Sequence, residues 1–133
     1  MIFIDRSVPK GVANALKAVR NDVMWLEDQF PHGTRDVEWL EAAGRNGWLV
    51  ITRDKMIRRR HGERQAIADH NVGCFCLVQS KDPTRWEYLK LLVTTLDEME
   101  RVFAETPRPF LFGVDRQGQF RQLELPAPSH AER

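Results

Sequence analysis

Only two cysteines occur in the 133 residues, too few for a disulfide framework, so the fold must rest on its core. Long apolar runs are also missing. The longest nearly unbroken one, residues 72–78, falls far short of the ~18 residues that span a bilayer. Neither sign of charge is in excess: twenty Lys and Arg against nineteen Asp and Glu leave a formal +1. That excludes a global basic field gripping nucleic acid and leaves room only for a local patch. His32, His61, His70 and His130 show no ligand spacing, which argues against zinc. No Gly-rich phosphate loop is present. The opening Met-Ile-Phe-Ile-Asp lacks a basic n-region and carries an acid, unlike a signal peptide, so a cytoplasmic domain with no membrane partner is the expectation. What the chain does have is 42% hydrophobic residues, with four Trp and seven Phe. This suffices for a core and excludes a disordered chain. A single domain over 1–125 is expected, followed by a flexible tail at 126–133.

Strand-like and helix-like segments alternate. Ile2-Phe3-Ile4 reads as a buried strand ending in Asp5. Pro9 opens a helix with Val12, Leu16 and Val19 on one face. Residues 23–26 form a second strand, and 28–35 form a loop around Pro31 and Gly33. Asp36 starts a helix that turns Val37, Trp39 and Leu40 inward and is closed by Gly44 and Gly47. Residues 48–51 are the third strand and 72–78 the fourth, with a helix in two pieces, broken near Gly62, between them. Asp82 and Pro83 then supply a cap and a first-turn proline for a long helix. Its apolar period runs through Leu89, Leu92, Val93, Leu96, Met99 and Phe103. The order implies βαβ units and a mainly parallel central sheet of about four strands, flanked by helices in a three-layer α/β fold. Residues 109–124 alternate around a turn at Asp115–Gly118 and read as an appended C-terminal β-hairpin.

The positions of the acids carry the functional signal. Asp5 closes strand one, Asp54 follows strand three, and Asp36 opens the helix that leads into strand three. In an open parallel sheet all three lie at the carboxyl edge, where ligands bind. Carboxylates gathered there repel one another unless a cation sits between them. An oxygen-rich set suits hard divalent ions such as Mg²⁺, which can activate a water and stabilise the leaving oxygen in phosphodiester cleavage. The competing explanation is capping, since Asp favours the N-terminal ends of helices.

Phe3-Ile-Asp5 with Pro9, Gly33-Thr-Arg-Asp36-Val-Glu38-Trp-Leu40 and Val50-Ile-Thr-Arg-Asp54 together resemble compact PIN-like domains, small α/β ribonucleases that include VapC-type toxins of bacterial toxin–antitoxin modules. The resemblance covers roughly residues 2–80. It implies a PIN-like fold and metal-dependent RNA hydrolysis, with Asp5, Asp36 and Asp54 as catalytic residues and ligands of Mg²⁺ or Mn²⁺. The implied partners are an RNA substrate and a cognate, DNA-binding antitoxin, in a homodimer or a toxin–antitoxin hetero-oligomer. Two departures stand out: Gln79-Ser80 occupies the place of a further acid after the fourth strand, and Arg53 stands where related compact sequences often have His. Asp82 and Glu38 are the candidates for a further acid.

Arg53, Lys55, Arg58, Arg59, Arg60 and Arg64 surround Asp54. Such a run is either a solvated face or a patch for RNA phosphates, and it could equally receive an acidic antitoxin segment. Cys74 and Cys76 lie two apart on a strand and read as small core residues. The four Trp read as core or interface material. Two further functions compete with a nuclease. A receiver-like signalling domain also places acids after strands one and three, but it requires paired acids after strand one and a Lys ending a fifth core strand. Here Asp5 is followed by Arg6-Ser7, and the sequence shows no such strand. A non-catalytic binding module would leave the acids as caps.

Overall fold

Side chains alternate across a strand, so a strand buried on both faces must be apolar at every position. The short strands of this chain meet that requirement. The computed structural model describes residues 1–53, 61–78 and 81–129. Four parallel strands, β1 (Ile2–Ile4), β2 (Val23–Trp25), β3 (Leu49–Thr52) and β4 (Gly73–Leu77), are buried throughout. The hairpin, β5 (Phe110–Val114) and β6 (Phe120–Leu123), joins the same sheet. β5 pairs parallel with β4, and β6 returns antiparallel on the edge. The full order is β2-β1-β3-β4-β5-β6. The fifth parallel strand is a correction to the sequence reading, which finds none. The long helix α5 (Arg85–Glu105) is a crossover, and a crossover helix delivers the next strand parallel to the last.

Each face of the sheet carries its own apolar cluster. Ile2, Ile4, Ile51, Phe75 and Leu77 face α1 (Lys10–Lys17) and α5. Phe3, Val50, Cys74 and Cys76 face α3 (Asp36–Asn46) and α4 (His61–Asp69). Both cysteines are buried free thiols. The result is a three-layer α/β sandwich, as expected. No helix among the described residues is long and apolar enough to cross a membrane.

The helix boundaries correct several details. Leu26 belongs to a short helix, α2 (Leu26–Gln29), and not to β2. α1 stops at Lys17, which leaves Val19 80% exposed and off its apolar face. In α3, Val37 points outward while Trp39 and Leu40 are buried. Gly44 does not end α3. A Cβ there would lie 1.8 Å from the His70 carbonyl oxygen, so glycine lets α3 and the end of α4 approach. Gly47, left-handed at φ 67°, is the actual stop. α4 begins at His61, next to Gly62, and the helical piece expected before it lies outside the described residues. α5 is capped by Thr84, whose side chain accepts from the Glu87 N–H while Glu87 accepts from the Thr84 N–H. Asp82 and Pro83 precede this capping box. Of the tail, Ser129 donates through its N–H and hydroxyl to Asp69, and Gln65 donates to the Ala127 carbonyl.

Candidate metal centre

β1 has β2 on one side and β3 on the other, so the chain's connections diverge between β1 and β3, at the kind of position where doubly wound sheets bind ligands. Asp5 ends β1 at that point. Its N–H donates to the Ile51 carbonyl at 2.9 Å, which carries the ladder one step further and brings Asp5 beside Thr52. Asp5 is only 6% exposed. Its Oδ2 accepts from Ser7 Oγ at 2.7 Å and from Thr52 Oγ1 at 3.0 Å, and its Oδ1 accepts from the Arg6 N–H at 2.7 Å. The Arg53 N–H donates in turn to Ser7 Oγ at 2.8 Å. This cradle is made of neutral donors. Among the described residues, no Lys, Arg or His forms an ion pair with Asp5.

Burial holds the Asp5 carboxyl above its ordinary range. The hydrogen bonds from Ser7 and Thr52 pull it back, and the negative charge of Asp36 raises it further. The charge of Asp36 thus acts on Asp5, although the two lie 31 positions apart in the sequence. Asp36 is the first residue of α3, half-buried, with Arg35 in the cap position. It is not the N-cap, and the start of α3 has no side-chain cap hydrogen bond, although its place in the first turn, with Glu38, suits an acid at the positive end of the helix. Its Oδ1 accepts from the Trp39 indole N–H at 3.0 Å, and that indole is held by stacking on Phe3 at 5.3 Å between centroids. In front of Asp36 opens a cavity of about 400 Å³ lined by Arg6, Gly33, Thr34, Asp36, Gly62 and Glu63, among others.

Asp54, Lys55, Arg58, Arg59 and Arg60 lie outside the described residues, as do Gln79 and Ser80. Among the described residues, no three of His, Cys, Asp and Glu come together as metal ligands. Arg53 is described, and its side chain is engaged. Its Nη2 pairs with Asp82 at 2.8 Å and reaches the Lys81 carbonyl at 3.3 Å, with 14% of the side chain exposed. This pair also engages Asp82. Glu38 pairs with Arg35 on the exposed face of α3. Arg64 donates to the Glu124 carbonyl.

Sequence reasoning does not single out Ser7, Glu63 or the role of Trp39. Ser7 closely follows the first-strand acid, and Thr52 closely precedes Asp54. Both bear hydroxyls at strand ends aimed at Asp5, a signal that needs the β1–β3 register before it can be read.

Asp5 and Asp36 are oxygen donors, and Asp5 is buried with no cationic partner among the described residues. That chemistry fits a hard divalent ion. Compared with models of known families, residues 1–79 match the one described as a PIN like domain. No curated protein and no solved structure matches the chain.

Proposed function

The chain belongs to the PIN-like domain family, and from that premise we propose that it is an Mg²⁺- or Mn²⁺-dependent endoribonuclease, the toxin of a type II toxin–antitoxin module. PIN-like domains are generally nucleases. The observation that carries the metal-dependent reading is the buried Asp5 carboxylate, with the charge of Asp36 acting on it and only neutral donors around it among the described residues. A folded protein keeps such an arrangement at a cost in stability, and a bound cation removes that cost.

Asp5, Asp36 and Asp54 would hold the ion. When bound, it supplies an activated water and stabilises the leaving oxygen of the phosphodiester. The chain's own groups fix the ligands. Ser7 and Thr52 donate to Asp5 Oδ2 and leave its remaining lone pairs for the ion. The Trp39 N–H orients Asp36. Groups of this supporting kind typically matter 10- to 100-fold in metal affinity or activity. Lys55, Arg58, Arg59 and Arg60 would hold RNA phosphates beside the ion, and Arg53 would join them by exchanging Asp82 for a phosphate. A DNA-binding antitoxin would inhibit by covering this edge of the sheet.

A receiver-like reading would need Lys at the end of β5, where Asp115 and Arg116 follow Val114. The deciding experiment incubates end-labelled single-stranded RNA with purified protein and Mg²⁺ or Mn²⁺. Cleavage should occur, stop in EDTA, and be abolished in Asp5→Asn, Asp36→Asn and Asp54→Asn variants that remain folded. Full activity in any variant removes that residue from the site, and no cleavage by the wild type with either ion overturns the nuclease reading. Induced expression in bacteria should halt growth, and Asp5→Asn should not. Normal growth with active protein would contradict the toxin role.

A further inference from the structure

The carboxyl edge of the sheet holds a second concavity, built entirely from residues beyond the family match at 1–79. It measures about 440 Å³ and lies between the start of α5 and the β5–β6 turn. Three exposed cations from three different segments line it: Lys81 after β4, Lys90 on α5 and Arg116 in the turn. Among the described residues, none of the three makes an ion pair. Of the two acids in the lining, Asp82 pairs with Arg53. Glu87 accepts from the Thr84 N–H while its charge also acts on Arg116 and Lys90, so the three cations outnumber the one acid left facing them. Beside Lys90 on α5, next to the lining residue Glu87, stands Trp86, 64% exposed, with the Lys90 ammonium 5.8 Å from its ring centroid. An exposed Trp beside such cations has the composition of a single-strand nucleic-acid contact, in which bases stack on the ring and phosphates meet the charges.

We propose that this concavity is a second RNA-contact site, which takes the phosphates of single-stranded RNA flanking the cleaved bond and stacks one base on Trp86. The inference rests on the nuclease reading for its substrate class. Connectivity supports it. Thr52 touches Asp5, the next residue Arg53 reaches Asp82, and Asp82 lines the concavity, so one strand can run from the acids to Trp86 across a single edge. An acidic peptide would use the three charges but has no need of an exposed indole face.

The test measures binding of fluorescein-labelled single-stranded RNA by anisotropy in EDTA, over a series of salt concentrations, alongside Mn²⁺-dependent cleavage. Trp86→Ala should weaken binding about five- to a hundred-fold, as removing the platform for one stacked base does. The double variant Lys90→Ala/Arg116→Ala should lower the salt slope by about 1.4, at about 0.7 for each single-strand phosphate that is no longer neutralised. All three residues are exposed, so the variants should melt like the wild type. Wild-type affinity and slope in both variants, with cleavage intact, overturn the second site and leave the nuclease reading standing. Binding that depends on these residues without any cleavage supports the site and overturns the nuclease reading. If the wild type does not bind RNA at all, both fail. If the variants keep RNA affinity but lose binding to poly-glutamate, the face docks protein and the proposal is overturned.

Discussion

Replacing Thr52 with Val tests the hydroxyl cradle under Asp5 most sharply. Thr52 is fully buried, and Val keeps its shape while exchanging the hydroxyl for a methyl. The change removes the 3.0 Å hydrogen bond to Asp5 Oδ2 and the 3.2 Å contact with Ser7 Oγ. A hydrogen bond to a charged acceptor contributes about 1.5–3 kcal/mol, and burying the added methyl returns about 0.8 kcal/mol. The net loss at neutral pH should be about 1–2 kcal/mol, a fall in Tm of about 3–8 °C for a chain of this size. The sign of its pH dependence follows from Asp5. Burial already raises that carboxyl above its ordinary value of 3.8, and removing a donor to the charged form raises it further. The penalty is therefore full above the raised folded pKa. Below 3.8 the carboxyl is protonated in both folded and unfolded chains, and the penalty shrinks to that of one neutral hydrogen bond. Urea unfolding of both proteins in EDTA between pH 3 and 8 measures this directly. A loss of equal size at every pH, or no loss at pH 7, would refute the role assigned to the hydroxyl.

Asp5→Asn should behave oppositely in metal-free protein. With the folded pKa raised, ionising Asp5 removes stability as pH climbs from 3.8 through that value, so the Asn variant should melt at or above the wild type at pH 7 and converge with it in acid. Saturating Mn²⁺ should stabilise the wild type, by about 2.7 kcal/mol at a hundred times its Kd, and the variant much less. Melting curves with and without Mn²⁺ decide both points. Trp39→Phe keeps an aromatic ring on Phe3 but deletes the N–H that Asp36 accepts. Calorimetric titration should show Mn²⁺ bound at least about tenfold more weakly. Exchanging Arg58, Arg59 and Arg60 for Ala should weaken RNA binding about equally across sequences and lower the salt slope by about 2 if all three meet phosphates. An unchanged slope would return that run to a solvated face.

The layer order was legible because short apolar runs, each bounded by turn residues, alternate with helical segments, and the 3.6 period of α5 is strong. Placing Asp5 and Asp36 at one sheet edge needed only strand direction and the rule that a helix leading into a parallel strand runs against it. The parallel docking of β5 was not legible, since a hairpin has the same alternation whichever neighbour it joins. Its partner is set by the α5 crossover and by Gly73, where a Cβ would meet Phe103 and Phe110 at 2.7 Å. Arg53 reads as one of a run of cations because its sequence neighbours are basic, yet the fold turns it to Asp82, distant in sequence. Likewise Asp82 looks like the cap of α5, but Thr84 and Glu87 form a reciprocal pair that fixes the helix start. Hydroxyl ligands of a carboxylate leave no spacing signature, so Ser7 and Thr52 emerge only once Ile4 is registered against Ile51.

The central claim is that Asp5, Asp36 and Asp54 share one divalent cation. Crystals soaked in Mn²⁺ and measured at the manganese absorption edge test it without reference to any substrate. An anomalous peak within coordination distance of all three carboxylates is the predicted result. A map with no peak among them, from protein that cleaves RNA in the same Mn²⁺ buffer, would contradict it.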